Sequence, residues 1–238
     1  MSPSQTHEDV GSVREFFNRW EVYKKAVDLN FTHHHEAMAA VAGWLDARGR
    51  VGAFLDLGCG DAAFTSKLLS ERATDSYTGV DCSPVALGLA EANLSGCAFP
   101  GRFVCGDFAE EVVRFGETFD TIFIGLSLHH LPAGDKAGFF RHAFARLSAG
   151  GALVIFEPAL KAGEPLESFL DRCEEHAETD PCGLTAAERS ALVGHIRSCD
   201  FPESPAGYGA MAIDAGFREV RILYTDPEEL FVVMACGV

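Results

Sequence analysis

Apolar positions along the chain follow two different periods. Phe16, Trp20, Tyr23 and Val27 fall on one helical stripe, and a second helix follows Asn30 with Met38, Val41 and Leu45 as its apolar face. From Val51 onward, short apolar runs of strand length alternate with helical segments. The pattern predicts strands at 52–57, 77–81, 102–105, 119–126 and 151–156, and helices at 62–72, 84–94 and 136–148. Such alternation implies βαβ units, hence a parallel sheet with helices on both faces. The last two runs, "EVRILYTD" and "ELFVVMAC", are separated by only a few turn residues and must pair antiparallel as a hairpin. The expected fold class is therefore α/β: a doubly wound, mostly parallel seven-stranded sheet with a C-terminal antiparallel hairpin. Between Pro158 and Phe217 lie about sixty residues, far more than a single crossover needs, which predicts a helical insertion. The expected organisation is a tail and helical cap at 1–50 and one domain at 51–238, in which 158–217 forms a lid on the substrate side.

Composition narrows the function classes. The chain has 238 residues, 47% hydrophobic and 23% charged, as expected of one globular unit. No run approaches the roughly 18 apolar residues of a membrane span, and the first thirty residues carry no signal-peptide core, so a cytoplasmic protein without a membrane partner is expected. The eight cysteines show no CxxC pair and no framework spacing, so they read as reduced thiols. Nineteen basic against 35 acidic side chains give a net charge of −16, which opposes a nucleic-acid partner. An oligomer is compatible with the sequence but not readable from it.

The chemistry concentrates in "FLDLGCGDAAFT", an apolar strand that breaks into glycines and resumes as a helix. Gly58, Gly60 and Ala63 fit a dinucleotide fingerprint, and Asp81 lies 21 residues beyond Gly60, where an acid holds a ribose diol. Asp56, two positions before the first glycine, decides otherwise. Its carboxylate at the strand end would repel a pyrophosphate, but it would attract the ammonium and sulfonium of S-adenosylmethionine.

With these pieces in order, residues 51–237 resemble the class I S-adenosylmethionine-dependent methyltransferases. "LDLGCGDAA" is similar to the family's acidic glycine-rich turn, with Ala62 at the third glycine, a mild departure if its φ stays negative. In "YTGVDCSP" the resemblance implies that Asp81 binds the ribose hydroxyls. In "FVCGDF" it implies that Asp107 accepts from the adenine amino group while the Phe108 amide meets the ring. "FDTIFIGLSLHHL" resembles the fourth strand, whose end at Leu126 lines the transfer site, and "RLSAGGALVIFEP" resembles the turn and fifth strand. The implied cofactor is S-adenosyl-L-methionine, the product S-adenosyl-L-homocysteine, and the partner a small-molecule methyl acceptor.

Further side chains fall into place around that crevice. Cys59 and Cys82 flank the cofactor as packing thiols. Asp61 reads as a cap at the start of the following helix. His129, just past the fourth strand, is the expected general base, with His130 toward the substrate and Glu157, at the end of the fifth strand, a second catalytic candidate. Tyr23 on the cofactor, or one of His33, His34 and His35 on the substrate, is expected to close the site from the N-terminal side. The run "THHHE" has no His pair at i, i+4, so no metal is expected there. The expected reaction is methyl transfer to an N or O atom of a small metabolite. The alternatives are a protein or nucleic-acid methyltransferase, without the NPPY-type signature after the fourth strand, or a non-catalytic cofactor-binding module.

Overall fold

A computed structural model describes residues 22, 24–179 and 183–238. Seven strands form one sheet in the order β3-β2-β1-β4-β5-β7-β6. They are β1 Gly52–Leu57, β2 Thr74–Asp81, β3 Gly101–Cys105, β4 Phe119–Gly125, β5 Leu147–Pro158, β6 Glu219–Thr225 and β7 Phe231–Gly237. The pairings within β1 to β5 are parallel, and β7 runs antiparallel to both β5 and β6. The expected doubly wound sheet with its terminal hairpin is the observed one.

Alternation along the strands builds two cores. Leu55, Ile122, Ile124, Leu153 and Ile155 face a core completed by α4 (Phe108–Arg114), α5 (Ala133–Ala145) and α8 (Pro205–Ala215). Their neighbours Phe54, Phe123, Val154 and Phe156 face the opposite core under α1 (His34–Arg48), α2 (Ala63–Leu69) and α3 (Pro84–Leu94). A side-chain period of two on a sheet covered on both faces produces this division.

Several boundaries differ from the sequence pattern. β2 and β5 each begin earlier than expected, β5 through an irregular register between Phe119↔Leu147 and Thr121↔Ala152. The seven-residue α4 was not expected, because "FAEEVVR" is too short for a periodic signal. Of the expected first helix, Phe16, Trp20 and Tyr23 lie outside the described residues, while residues 24–28 are helical with Val27 buried. The second helix does carry Met38, Val41 and Leu45 on its buried face, but it packs on the sheet, and only its start reaches the strand ends.

Between β5 and β6 stand α6 (Leu166–Thr179), α7 (Ala186–Cys199) and α8. Ala177 and Leu184 from this segment cluster with Ala26 and Phe31 from the N-terminal side, and Lys25 Nζ lies 2.7 Å from Glu188 of α7. The N-terminal segment and the helices after β5 therefore pack on each other above the carboxyl edge of the sheet. No described helix is long and apolar enough to cross a membrane, and the seven described cysteines are free thiols.

Candidate active site

The carboxyl ends of the parallel strands, where open α/β sheets bind ligands, carry a ring of acids and strained turns. Asp56 ends β1 and is 2% exposed. Tyr77 donates its hydroxyl to Asp56 Oδ2 at 3.0 Å. Burial pushes the Asp56 carboxyl up to about 7, against hydrogen bonds from Thr65 and Tyr77 and with help from Asp81. Asp81, half-exposed at the end of β2, accepts from the Gly60 amide at 2.9 Å through Oδ2 and from the Ser83 amide at 2.8 Å through Oδ1. It is thereby fixed across the mouth of the glycine turn. Asp107 is exposed at the end of β3 and caps α4, its Oδ1 accepting from Ala109 and Glu110, while Phe108 opens that helix half-buried. Asp61 accepts from the Ala63 amide at the start of α2, the capping role expected of it.

The turn itself leaves little room. Gly58 has φ 67°, and a Cβ there would stand 2.4 Å from Ser127 Oγ at the end of β4, so any other residue would separate the two strand ends. Ala62, at the N-cap of α2, does not meet the condition of a negative φ: its φ is +50°, in the left-handed region. Leu126 (φ 52°) and His33 (φ 50°) share that conformation. Three non-glycine residues held in a sparsely populated region, each at the carboxyl edge, mark a site whose surroundings over-determine the backbone. Cys59 lies half-buried under the turn with its thiol pushed up by burial, so it is protonated and packs, whereas Cys82 is exposed beyond Asp81.

Glu157 is fully buried and is the organiser of the turn after β4. Its Oε1 accepts from the Ser127 amide at 3.1 Å and the Leu128 amide at 2.9 Å; its Oε2 accepts from the His129 amide at 3.1 Å and meets His129 Nδ1 at 2.6 Å. The other ring nitrogen of His129, Nε2, stands 3.5 Å from Asp200 Oδ1. His129 is thus buried between two carboxylates. Burial alone would lower its pKa, but Glu157 and then Asp200 outweigh burial and hold it above the ordinary imidazole value. His130 is more exposed; partial burial first, then the charge of His129, lowers it to about 4.

On the N-terminal side, His34 packs against Phe64 of α2, with ring centroids 4.0 Å apart, and edge-on to Phe156. Its Nδ1 is buried without a hydrogen-bond partner, and burial lowers its pKa to about 4. His33 Nε2 stands 3.0 Å from Glu228 Oε2 in the β6–β7 loop. It lines a cavity of about 570 Å³ whose other walls include Arg172, His176, Glu228 and Leu230. His35 is exposed. Tyr23 lies outside the described residues.

The acids at the ends of three adjacent strands fit a cationic nucleoside, and among the described residues no basic side chain is paired with Asp56, Asp81 or Asp107. Residues 54–151 match the family described as a methyltransferase domain. That segment, 98 of the 238 residues, carries the resemblance to the class I S-adenosylmethionine-dependent methyltransferases, whose cofactor is S-adenosylmethionine.

Solved structures of other methyltransferases have the same fold. Magnesium protoporphyrin IX methyltransferase from Synechocystis PCC 6803 with bound SAH is 18% identical, with 94% of each chain covered and a TM-score of 0.63. Mitomycin 7-O-methyltransferase is 18% identical over all of this chain and 61% of its own, with a TM-score of 0.64. Human N-acetylserotonin methyltransferase in complex with SAM is 16% identical over 90% of this chain and 56% of its own, with a TM-score of 0.57. The chain thus spans little more than half the length of the latter two.

Sequence reasoning missed Tyr77 and Thr65 under Asp56, Lys136, and Asp200. Tyr77 and Thr65 sit in ordinary strand and helix positions, and Lys136 and Asp200 are polar residues in polar contexts. Only the fold shows that these four are buried.

Proposed function

We propose that this methyltransferase transfers a methyl group to a nitrogen or oxygen atom of a small metabolite, in the cytoplasm. One observation carries the reading. The consecutive residues His33 and His34 join the open cavity beside α6 to the first turn of α2, which follows the glycine turn directly. An acceptor in a cavity of about 570 Å³ has the size of a metabolite, and its walls of imidazole and carboxylate suit a polar nucleophile. The proteins of similar fold named above have small-molecule names as well, and the net charge of −16 disfavours a polyanionic acceptor.

In this reading Asp81 accepts the ribose hydroxyls, Asp107 and the Phe108 amide meet the adenine, and Gly58 and Gly60 admit the amino-acid moiety beside Asp56. Leu126 and Ser127 form the floor under the transfer site. When bound, S-adenosylmethionine supplies a methyl group activated by its sulfonium. The chain contributes position, by far the largest part of such a displacement, together with exclusion of water by the packed N-terminal and α6–α7 segments.

For the proton-accepting group the geometry favours His33 over His129. His33 Nε2 pairs with Glu228 on the cavity wall, whereas both nitrogens of His129 face carboxylates. Glu157 and His129 then act by fixing the turn that follows β4. Incubating the protein with methyl-labelled cofactor and a fractionated cell extract tests the proposal: label in the low-molecular-weight fraction supports it. Label confined to protein or nucleic acid, or binding without turnover, supports the alternatives.

A further inference from the structure

The space between the turn after β4 and the end of α7 holds a second arrangement, separate from the glycine turn. Asp200 is 7% exposed, and its Oδ1 has no hydrogen-bond partner. That same oxygen lies 3.5 Å from His129 Nε2 and 3.5 Å from His130 Nδ1. A buried carboxylate oxygen without a donor is costly, and charge-assisted hydrogen bonds close to about 2.7–2.9 Å when geometry allows. A separation of 3.5 Å suits something else. Ligand atoms bound at about 2.0–2.1 Å around a tetrahedral ion stand about 3.3–3.4 Å apart.

We propose that His129 Nε2, His130 Nδ1 and Asp200 Oδ1 bind one divalent transition-metal cation of the zinc class. The three atoms lie within 4.8 Å of one another. Two imidazoles and one carboxylate are a donor set for such ions, with a fourth position left for water. The support behind His129 has the expected form: Glu157 Oε2 at 2.6 Å accepts from Nδ1–H and so leaves the Nε2 lone pair for the ion, as carboxylates behind metal-bound histidines do. His130, with 38% of its side chain exposed, gives an entry path from solvent. Coordination replaces one existing interaction, the 3.2 Å contact of His130 Nδ1 with the Cys199 carbonyl. The ion ties the chain after α7 to the end of β4, an attachment already begun by the Phe201 amide donating to the His129 carbonyl at 2.9 Å.

A second group, His33, Asp226 and Glu228, has a comparable spread but satisfied atoms. His33 pairs with Glu228, and Asp226 Oδ2 accepts from the Glu228 amide at 3.0 Å. It serves as an internal control.

The test uses chelator-treated full-length protein dialysed against Zn²⁺ or Co²⁺ at neutral pH, with metal stoichiometry, the Co²⁺ visible spectrum and the melting temperature as readouts. The expected result is one equivalent bound, a four-coordinate Co²⁺ spectrum and a raised melting temperature. His130→Ala and Asp200→Asn should each lose that equivalent, Glu157→Gln should weaken it by about 10–100-fold, and His33→Ala should keep it. His130 is exposed enough that its variant tests binding without threatening the fold. No bound equivalent in folded wild-type protein, unchanged binding in His130→Ala and Asp200→Asn, or loss in His33→Ala would each overturn the proposal.

Discussion

Replacing Glu157 by glutamine separates the structural reading of this residue from a catalytic one. The amide has the same shape, and its carbonyl can continue to accept from the Ser127 and Leu128 amides at 3.1 and 2.9 Å. On the other side an NH₂ group then faces two donors, the His129 amide and His129 Nδ1, which sit 3.1 and 2.6 Å from the present carboxylate oxygen. Two hydrogen bonds to a charged acceptor are lost, each worth about 1.5–3 kcal/mol. The sum, about 3–6 kcal/mol, overlaps the usual cost of removing one partner from a buried charged pair, about 3–5 kcal/mol, which is the range carried forward. At about 2–4 °C per kcal/mol for a chain of this size, the metal-free variant should melt about 6–20 °C below wild type. Thermal melts at pH 7 with urea titrations as a second measure decide it. A melting temperature within about 2 °C of wild type would refute the hub role of Glu157, for no structure could lose these bonds so cheaply.

Three further outcomes follow from the geometry. Asp56, raised to about 7 by burial, should ionise when a cationic ligand arrives, so binding of S-adenosylmethionine should release protons and tighten as pH rises through about 7. Calorimetry in buffers of different ionisation enthalpy should show this, and Asp56→Asn should abolish it. The same raised carboxyl makes the free protein lose stability as pH rises from its unfolded value, about 4, toward 7. His33→Ala should lower turnover by about 10²–10⁴-fold with cofactor affinity nearly unchanged, while His129→Ala should mainly lower the melting temperature; the reverse pattern would return the base to His129. Hydrogen exchange in residues 24–45 and 158–217 should slow when S-adenosylhomocysteine binds, and equal exchange with and without it would favour an open surface for a macromolecular acceptor.

Much of the glycine-turn end of the candidate site was legible in the sequence, because strand ends, glycines and acids follow one another within single βαβ units. Asp56, Gly58 and Asp81 could be placed by counting, since the turn after β1 and the end of β2 are adjacent by topology alone. The surroundings of His33 and His129 were not legible for the opposite reason. His129 meets Asp200 across 71 residues, and His33 meets Glu228 across 195, through loops whose paths no periodicity specifies. Glu157 illustrates the limit: its position at the end of β5 was readable, but a buried carboxylate serving three backbone amides resembles a pocket acid until the neighbouring turn is seen. Ala62 failed differently. The sequence left its φ open, and the structure holds it in the left-handed region at the N-cap of α2.

The account rests on the turn at residues 56–63 holding a cationic nucleoside instead of a dinucleotide, with Asp81 as the ribose acceptor. Calorimetric titration of wild type and Asp81→Ala with S-adenosylmethionine, S-adenosylhomocysteine and NAD tests it most directly. Both adenosyl ligands should bind wild type, NAD should not compete, and the substitution should cost about 1.5–3 kcal/mol, a roughly 10–150-fold loss of affinity. Unchanged affinity in Asp81→Ala, or NAD bound more tightly than S-adenosylhomocysteine, would contradict it.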